Sequence, residues 1–321
     1  MSIGAAQRYY LKLKASHYCY EKGYTQSQAA KMLGISRNTL GKMLTEARQE
    51  GIVQVKIVDI RNTGHFIGME TQLMEQYGLL DVKIVDCVEE SRSQVNSRIA
   101  EEAARYVERI LTSGMRVGLA WGRTLDLMVR QMRPNSSITG LEVTTLLGSG
   151  GTITSRVQPG GIVQRFLEKF DGKGYIINAP YFCRTAQLCA TLKQEPHIRE
   201  VLDRARQSDI ALVGIGERPT MESCAEAGLD FTPDIVRQLG EAHAVGDICN
   251  NFFDVRGELC RTELIEKLLA VELADFARMG RVIALAGGAN KSDSVLGALR
   301  GKYIDVLITD PFTAKKVLEP V

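Results

Sequence analysis

The residues best suited to chemistry in this chain fall into two groups. The first lies near the N-terminus: Thr25, Gln26 and Ser27, then Ser36, Arg37, Asn38 and Thr39, with Lys42 and Lys56 further on. Arginine can pair bidentately with guanine and asparagine with adenine in the DNA major groove, whereas hydroxyl, amide and lysine groups suit phosphates. The second group sits in short glycine-containing stretches: Gly122-Arg123-Thr124, Gly148-Ser149-Gly150-Gly151-Thr152, Gly246-Asp247-Ile248 and Gly287-Gly288-Ala289-Asn290-Lys291-Ser292. A glycine turn at a helix N-terminus exposes backbone N–H groups to an anion. Arg123 and Lys291 would add positive charge there, and Asp247 would accept bonds from hydroxyls. The second stretch is not the dinucleotide fingerprint, because position 153 is Ile. Each stretch also has a plain reading as a well-made turn, a flexible loop, a surface lysine or a turn cap.

The N-terminal group needs two helices to position it. Thr25-Gln-Ser-Gln predicts a capping box, in which Thr25 and Gln28 satisfy each other's backbone N–H groups. Ala29, Ala30 and Leu33 follow at helical spacing, and Gly34 is placed to end the helix in the left-handed conformation. Ile35 would plug a core, and Ser36 would cap a second helix carrying Leu40, Met43, Leu44 and Ala47, stopped by Gly51. Helix, three-residue turn, helix is the helix-turn-helix arrangement. Its second helix would enter the major groove with Arg37, Asn38, Thr39 and Lys42 leading, while Gln26, Ser27, Ser36 and Lys56 contact phosphates. An upstream helix over about Gln7–Glu21 would complete a three-helix core with Tyr10, Leu13 and Tyr18. Alternation of Val53, Val55 and Ile57 with Gln54 and Lys56 predicts a strand, hence a winged variant.

The second group needs a sheet. From residue 81 onward, short apolar runs alternate with amphipathic stretches: Val82–Val85, Val117–Ala120, Val143–Leu147, Tyr175–Ile177, Ile210–Val213, Val282–Ala286 and Val306–Ile308. This is the pattern of βα units around a mostly parallel sheet, where ligands bind beyond the carboxyl ends of strands. The fold class is therefore α/β with a small N-terminal winged helix-turn-helix. The expected domains are 1–60 for DNA binding, 61–80 for a polar linker and a helix, and 81–321 for the effector and oligomerisation body. The helix, about Phe66–Tyr77, could dock on the body or pair with a second copy.

Composition narrows the function classes. The 321 residues are 45% hydrophobic and 24% charged, as in an ordinary globular protein. Residues 1–61 hold ten Lys/Arg against four acids, a net +6, which leaves −4 on the rest of a chain whose total is +2. A polyanion surface is therefore expected locally, in the N-terminal segment. No apolar stretch is long enough to span a bilayer or serve as a signal peptide, so no membrane role and a cytoplasmic location are expected. The seven cysteines contain no Cys-x-x-Cys pair and the four histidines are scattered, so free thiols, no metal and no cofactor are expected.

Taken in order, Thr25-Gln-Ser-Gln, Leu33-Gly-Ile-Ser-Arg37, Gly148-Ser-Gly-Gly, Val213-Gly-Ile-Gly, Val245-Gly-Asp-Ile and Ala286-Gly-Gly-Ala-Asn-Lys resemble the SorC family of sugar-responsive bacterial transcriptional regulators, over nearly the whole chain. The chain departs from some relatives in carrying Trp121-Gly122-Arg123. The resemblance implies an effector domain similar to sugar-phosphate isomerases, a sugar or sugar-phosphate effector, Asp247 and Lys291 among its contacts, and dimers or tetramers on operator DNA. The expected function is transcriptional regulation of a carbohydrate operon rather than catalysis. Two alternatives stand beside it: an isomerase- or aldolase-like enzyme with Lys291 as Schiff-base nucleophile or base, and an architectural DNA-binding protein whose body only oligomerises.

Overall fold

The computed structural model describes residues 4–55, 66–87, 91–150, 158–227 and 231–319. The chain divides into two compact units, residues 1–63 and 64–321.

In the first unit, α1 (Ala5–Ser16) continues into a π-helical turn at His17–Glu21, followed by α2 (Gln26–Leu33) and α3 (Arg37–Gln49). The capping box forms: Gln28 N donates to Thr25 Oγ1 at 3.3 Å, and Thr25 N donates to Gln28 Oε1 at 2.9 Å. Gly34 takes φ 67°, which a side chain would strain, and so turns the chain at the end of α2. Ser36 caps α3 by accepting from Thr39 N at 3.1 Å. Ala15, Ala29, Ala30, Leu40 and Leu44 form the small core, with Tyr18, Leu33 and Ile35 packed around it. The small side chains let the three helices approach closely.

One expectation for this unit fails. Tyr10 and Leu13 are exposed, not core. The face of α1 turned to α3 is set by charge instead: Arg8 pairs with Glu46 at 2.7 Å and Lys12 with Glu50 at 2.5 Å. Lys12 is buried, and the Glu50 carboxylate holds its ammonium pKa above the ordinary value. Of the expected wing strand, only residues 52–55 are described, and they form no strand. Val53 N folds back to Ala47 O at 3.1 Å, Val55 is exposed, and residues 52–55 pair with no strand. Residues 56–65, including Lys56 and Ile57, lie outside the described residues.

Thr25→Ala should remove one half of the capping box at a cost of about 1 kcal/mol. Amides of α2 are then expected to exchange with solvent about fivefold faster in the full-length protein. Unchanged protection would show that the box contributes nothing.

The second unit is built on one seven-stranded sheet. Its strands are β1 (Asp81–Ile84), β2 (Arg116–Leu119), β3 (Leu141–Thr145), β4 (Gly172–Tyr175) and β5 (Ile210–Gly214), then, beyond a separate two-stranded hairpin of β6 (Gly246–Ile248) and β7 (Asn251–Phe253), β8 (Val282–Leu285) and β9 (Val306–Thr309). The order is β1-β9-β8-β5-β2-β3-β4, and every pairing in the sheet is parallel. All seven predicted apolar runs contribute to it. β3 starts and ends two residues early, at Leu141–Thr145, and β4 is displaced furthest, to Gly172–Tyr175 rather than Tyr175–Ile177. Register against β3 decides this: Gly172 lies against Leu141, whose carbonyl oxygen would be 2.4 Å from a Cβ at that position.

From β2 the chain steps outward through β3 and β4; from β5 it steps the other way through β8 and β9. The winding therefore reverses between β2 and β5, and a crevice is expected outside their carboxyl ends. Helix α4 (Ile67–Tyr77) docks on this unit. Leu73 is buried, Glu70 Oε1 accepts from Ile84 N at 2.9 Å, and the Tyr77 hydroxyl donates to Val317 O at 2.9 Å. Next come α5 (Arg92–Ile110), α6 (Arg123–Gln131) and α7 (Pro159–Leu167). Their buried faces join the sheet residues in one continuous core. Among the described residues, no helix is long and apolar enough to cross a membrane.

Candidate functional site

A cavity of about 420 Å3 opens at the reversal between β2 and β5, within the usual range of roughly 300–1,000 Å3 for small-molecule sites. Its walls come from Trp121, Gly122, Arg123 and Thr124 after β2, from Gly214 to Glu217 after β5, from Asp247, Cys249 and Asn250 on the hairpin, from Arg92 and Asn96 on α5, and from Lys291 after β8. Three of the four glycine stretches predicted from sequence thus meet in one place, contributing Gly122-Arg123-Thr124, Asp247 and Lys291.

At the β2 loop, Gly122 has φ 142°, a conformation that strains any other residue, and stands as the N-cap of α6. No side chain caps the first turn of α6, and its residues Arg123, Thr124 and Leu125 line the cavity. Helix dipole, N–H groups and guanidinium together favour an anion.

Opposite stand a carboxylate and an ammonium. Asp247 Oδ2 accepts from Asn250 N at 2.8 Å, and Gly216 N donates to Asp247 O at 2.8 Å. Burial pushes the Asp247 carboxyl up to about 6, partly opposed by the Asn250 N–H and by the charge of Lys291. Lys291 Nζ donates to Ile215 O. Burial lowers its pKa to about 8, with Glu217 and Asp247 pulling up and Arg92 and Arg123 pulling down. Arg92 pairs with Glu217 at 2.7 Å, tying α5 to the β5 loop. At neutral pH the cavity therefore holds both signs of charge in a partly dry setting, which suits a ligand offering an anionic group and hydroxyls.

Gly148, Ser149 and Gly150 do not line this cavity, contrary to their expected role. Their backbone is committed to protein: Gly148 N donates to Leu269 O at 2.9 Å, Ser149 N to Ala179 O at 2.9 Å, and Gly150 N to Gln158 Oε1 at 3.3 Å. The glycines serve close packing, since a Cβ at 150 would lie 1.8 Å from the Tyr181 ring. That ring packs against Trp121, tilted by 37° at 5.6 Å between centroids, so the loop backs the cavity wall without forming it. Gly151 and Thr152 lie outside the described residues. Ser292 begins its helix rather than capping it, because the turn Ala289–Lys291 runs straight into it. Asp254 accepts from Arg256 N and Glu258 N at 2.9 and 2.8 Å and shapes a turn.

Sequence reasoning missed Arg92, Asn96, Gly216, Glu217 and Asn250 as wall residues. Val213-Gly-Ile-Gly, directly after a strand, was a signal of the same kind as the other loops. Arg92 and Asn96 carried none, because their helix reads only as an amphipathic packing element. Among the described residues, no three His, Cys, Asp or Glu side chains cluster as metal ligands, and all seven cysteines are free.

On the first unit, Arg37, Asn38 and Lys42 are exposed along α3 and line a shallow groove with Gln26 of α2. Thr25, Ser27, Ser36 and Thr39 are also exposed, flanking that groove from the two helix starts. Lys56 lies outside the described residues.

Comparisons with known proteins cover both units. The Sugar-bind profile of a sugar-binding domain matches residues 61–319, and the helix-turn-helix profile of Fis-family bacterial regulatory proteins matches residues 21–46. The chain is 30% identical to the deoxyribonucleoside regulator of Bacillus subtilis over 96% of this chain and 97% of that one. It is 27% identical to the sorbitol operon regulator of Klebsiella pneumoniae over 96% and 98%. The crystal structure of the full-length sorbitol operon regulator SorC from Klebsiella pneumoniae superposes with a TM-score of 0.74 at 28% identity, covering 97% of this chain and 99% of that one. With a helix-turn-helix ahead of a parallel α/β body that carries a cavity at its winding reversal, the chain belongs to the SorC family of sugar-responsive bacterial transcriptional regulators.

Proposed function

We propose that this protein is a DNA-binding regulator of a carbohydrate catabolic operon, and that a sugar or sugar phosphate in the β2–β5 cavity sets its operator affinity. The observation that carries the reading is the convergence of Arg123, Asp247 and Lys291 on one cavity of small-molecule size. In this reading the α6 N-terminus with Gly122, Arg123 and Thr124 takes the anionic group, and Asp247 and Lys291 take hydroxyl or carbonyl oxygens. Arg37 and Asn38 read base edges, supported by Thr39 and Lys42, while Thr25, Gln26, Ser27, Ser36 and Lys56 hold phosphates. The protein acts in the cytoplasm as a dimer or tetramer, and no catalytic step is assigned to it. The effector shifts DNA binding only if it binds the DNA-competent and DNA-incompetent arrangements unequally.

Thermal melting against sugars and their phosphates tests this. A ligand at a hundredfold excess over Kd stabilises the folded state by about 2.7 kcal/mol, a clear rise in Tm. A rise with one sugar phosphate, lost in Arg123→Ala or Lys291→Ala, is the expected result. No rise with any would overturn the sensor reading.

The site also predicts a pH window. The Asp247 pKa, about 6, lies above the ordinary value, so holding its charge costs stability above that pH, and the cost vanishes below about 4. The Lys291 pKa, about 8, lies below the ordinary value, so holding its charge costs stability below that pH and is relieved as pH rises towards 10.5. A ligand that bonds both charged groups therefore gains most between pH 6 and 8, with affinity falling on either side. In titrations from pH 5 to 9, Asp247→Asn should abolish the protein's share of the acid limb. An acid limb unchanged in that variant would remove Asp247 from the ligand's contacts.

A further inference from the structure

Asn250 is an unassigned polar group in this cavity. It occupies the two-residue loop between β6 and β7, where Cys249 has φ 52° and Asn250 φ 61°. Both central residues of such a turn must be left-handed, and Asn-Gly is the sequence that adopts it most readily. Here the pair is Cys-Asn, and the position where glycine would be freest keeps a side chain. Its backbone N–H already has a task, holding the Asp247 carboxylate at 2.8 Å. Its side chain lies on the cavity wall and is only 4% exposed. Yet Asn250 Nδ2 is buried with no hydrogen-bond partner among the described residues. The neighbouring Asn251 shows the contrast: its Nδ2 donates to Ile248 O at 3.1 Å, Cys249 O at 3.3 Å and Val271 O at 2.9 Å. One asparagine is spent on the fold. The other leaves a donor unsatisfied at a cost that a ligand oxygen would relieve.

We infer that Asn250 is a specificity-determining residue of the effector site, donating its amide N–H to a hydroxyl oxygen of the ligand beside the hydroxyl that Asp247 accepts. The inference rests on the sensor reading above and deepens it. Donor and acceptor come from residues three apart on one hairpin, joined by the Asn250 N–H, so they form a fixed pair. That pair suits a polyhydroxylated ligand with adjacent hydroxyls and disfavours one that presents a bare methylene there. A site built to bond a hydroxyl rejects the analogue lacking it, because the buried protein group is then left unpaired.

The test uses full-length protein, with Tm shifts and calorimetric titration against ribose 5-phosphate, 2-deoxyribose 5-phosphate, glucose 6-phosphate, sorbitol and sorbitol 6-phosphate. Asn250→Gly keeps the backbone N–H and suits the left-handed turn, so its ligand-free Tm should equal or exceed that of the wild type. Its affinity for the wild-type ligand should fall at least tenfold. Asn250→Asp keeps the shape but sets a second carboxylate beside Asp247, so its affinity should fall further. Both variants should bind operator DNA normally without ligand. If the wild type binds one of these compounds and Asn250→Gly binds it within twofold, the role of Asn250 is overturned and the sensor reading stands. If the wild type binds none of them, both fall together.

Discussion

Replacing Arg37 and Asn38 together with alanine is expected to erase the preference for operator over random duplex while leaving the protein folded. Both side chains are exposed in the first turn of α3. The cap that starts the helix is Ser36 bonding Thr39 N, which neither substitution touches. Alanine favours the helix, so the stability change should stay within about 0.5 kcal/mol. Each well-aligned bidentate contact to a base is worth roughly 1–3 kcal/mol of discrimination. Losing two amounts to roughly 2–6 kcal/mol, a thirtyfold loss or more. Lys56→Ala should instead weaken binding to all duplexes alike and flatten the salt dependence by about one phosphate's worth. The measurement is fluorescence anisotropy at two salt concentrations, with an operator selected from a random library and a scrambled duplex. A double variant that keeps its preference would show that sequence is read elsewhere.

The DNA-binding unit and the sheet were legible for physical reasons that also explain what was not. Thr25, Gln28, Gly34 and Ser36 act on backbone within a few residues of themselves, so their spacing carries the information. Parallel strands buried on both faces are near-continuous runs of Val, Ile and Leu, and each of the seven runs entered the sheet. The face of α1 is not legible in the sequence, because hydrophobicity points to Tyr10 and Leu13, whereas the docked face is fixed by Arg8 and Lys12 meeting acids 38 residues away. No local pattern encodes that pairing. The β6–β7 hairpin carries no hairpin signal in the sequence, because its turn is Cys249-Asn250 rather than Asn-Gly. Gly148 and Gly150 look ligand-facing in the sequence because a glycine needed for close packing looks the same there as one needed for a ligand. Only the position of Ala179–Tyr181 distinguishes them.

Gly216 is the missed residue with the largest predicted consequence. A Cβ built there would sit 1.7 Å from Asp247 Oδ1 and 2.8 Å from its Cγ, so Gly216→Ala cannot coexist with the carboxylate where it stands. Asp247 must leave the cavity wall or the β5 loop must move. Either change separates Asp247 from Asn250 N–H and from the ammonium of Lys291. Effector affinity should fall at least a hundredfold, and operator binding should persist without responding to the ligand. Gly214→Ala is the matched control: it adds a methyl two residues away at the end of β5, where the nearest neighbour atom among the described residues is Trp121 O at 3.9 Å, and should cost no more than a few-fold in affinity. Stability gives a second readout. Overpacking of this kind costs about 1–3 kcal/mol. If the clash with Asp247 is its source, the cost should disappear when Gly216→Ala is made in an Asp247→Ala background, a coupling that a double-mutant cycle measures directly. Equal destabilisation in both backgrounds would place the strain in the β5 loop itself. Effector binding that survives Gly216→Ala as well as it survives Gly214→Ala would remove the Asp247 carboxylate from the ligand's contacts.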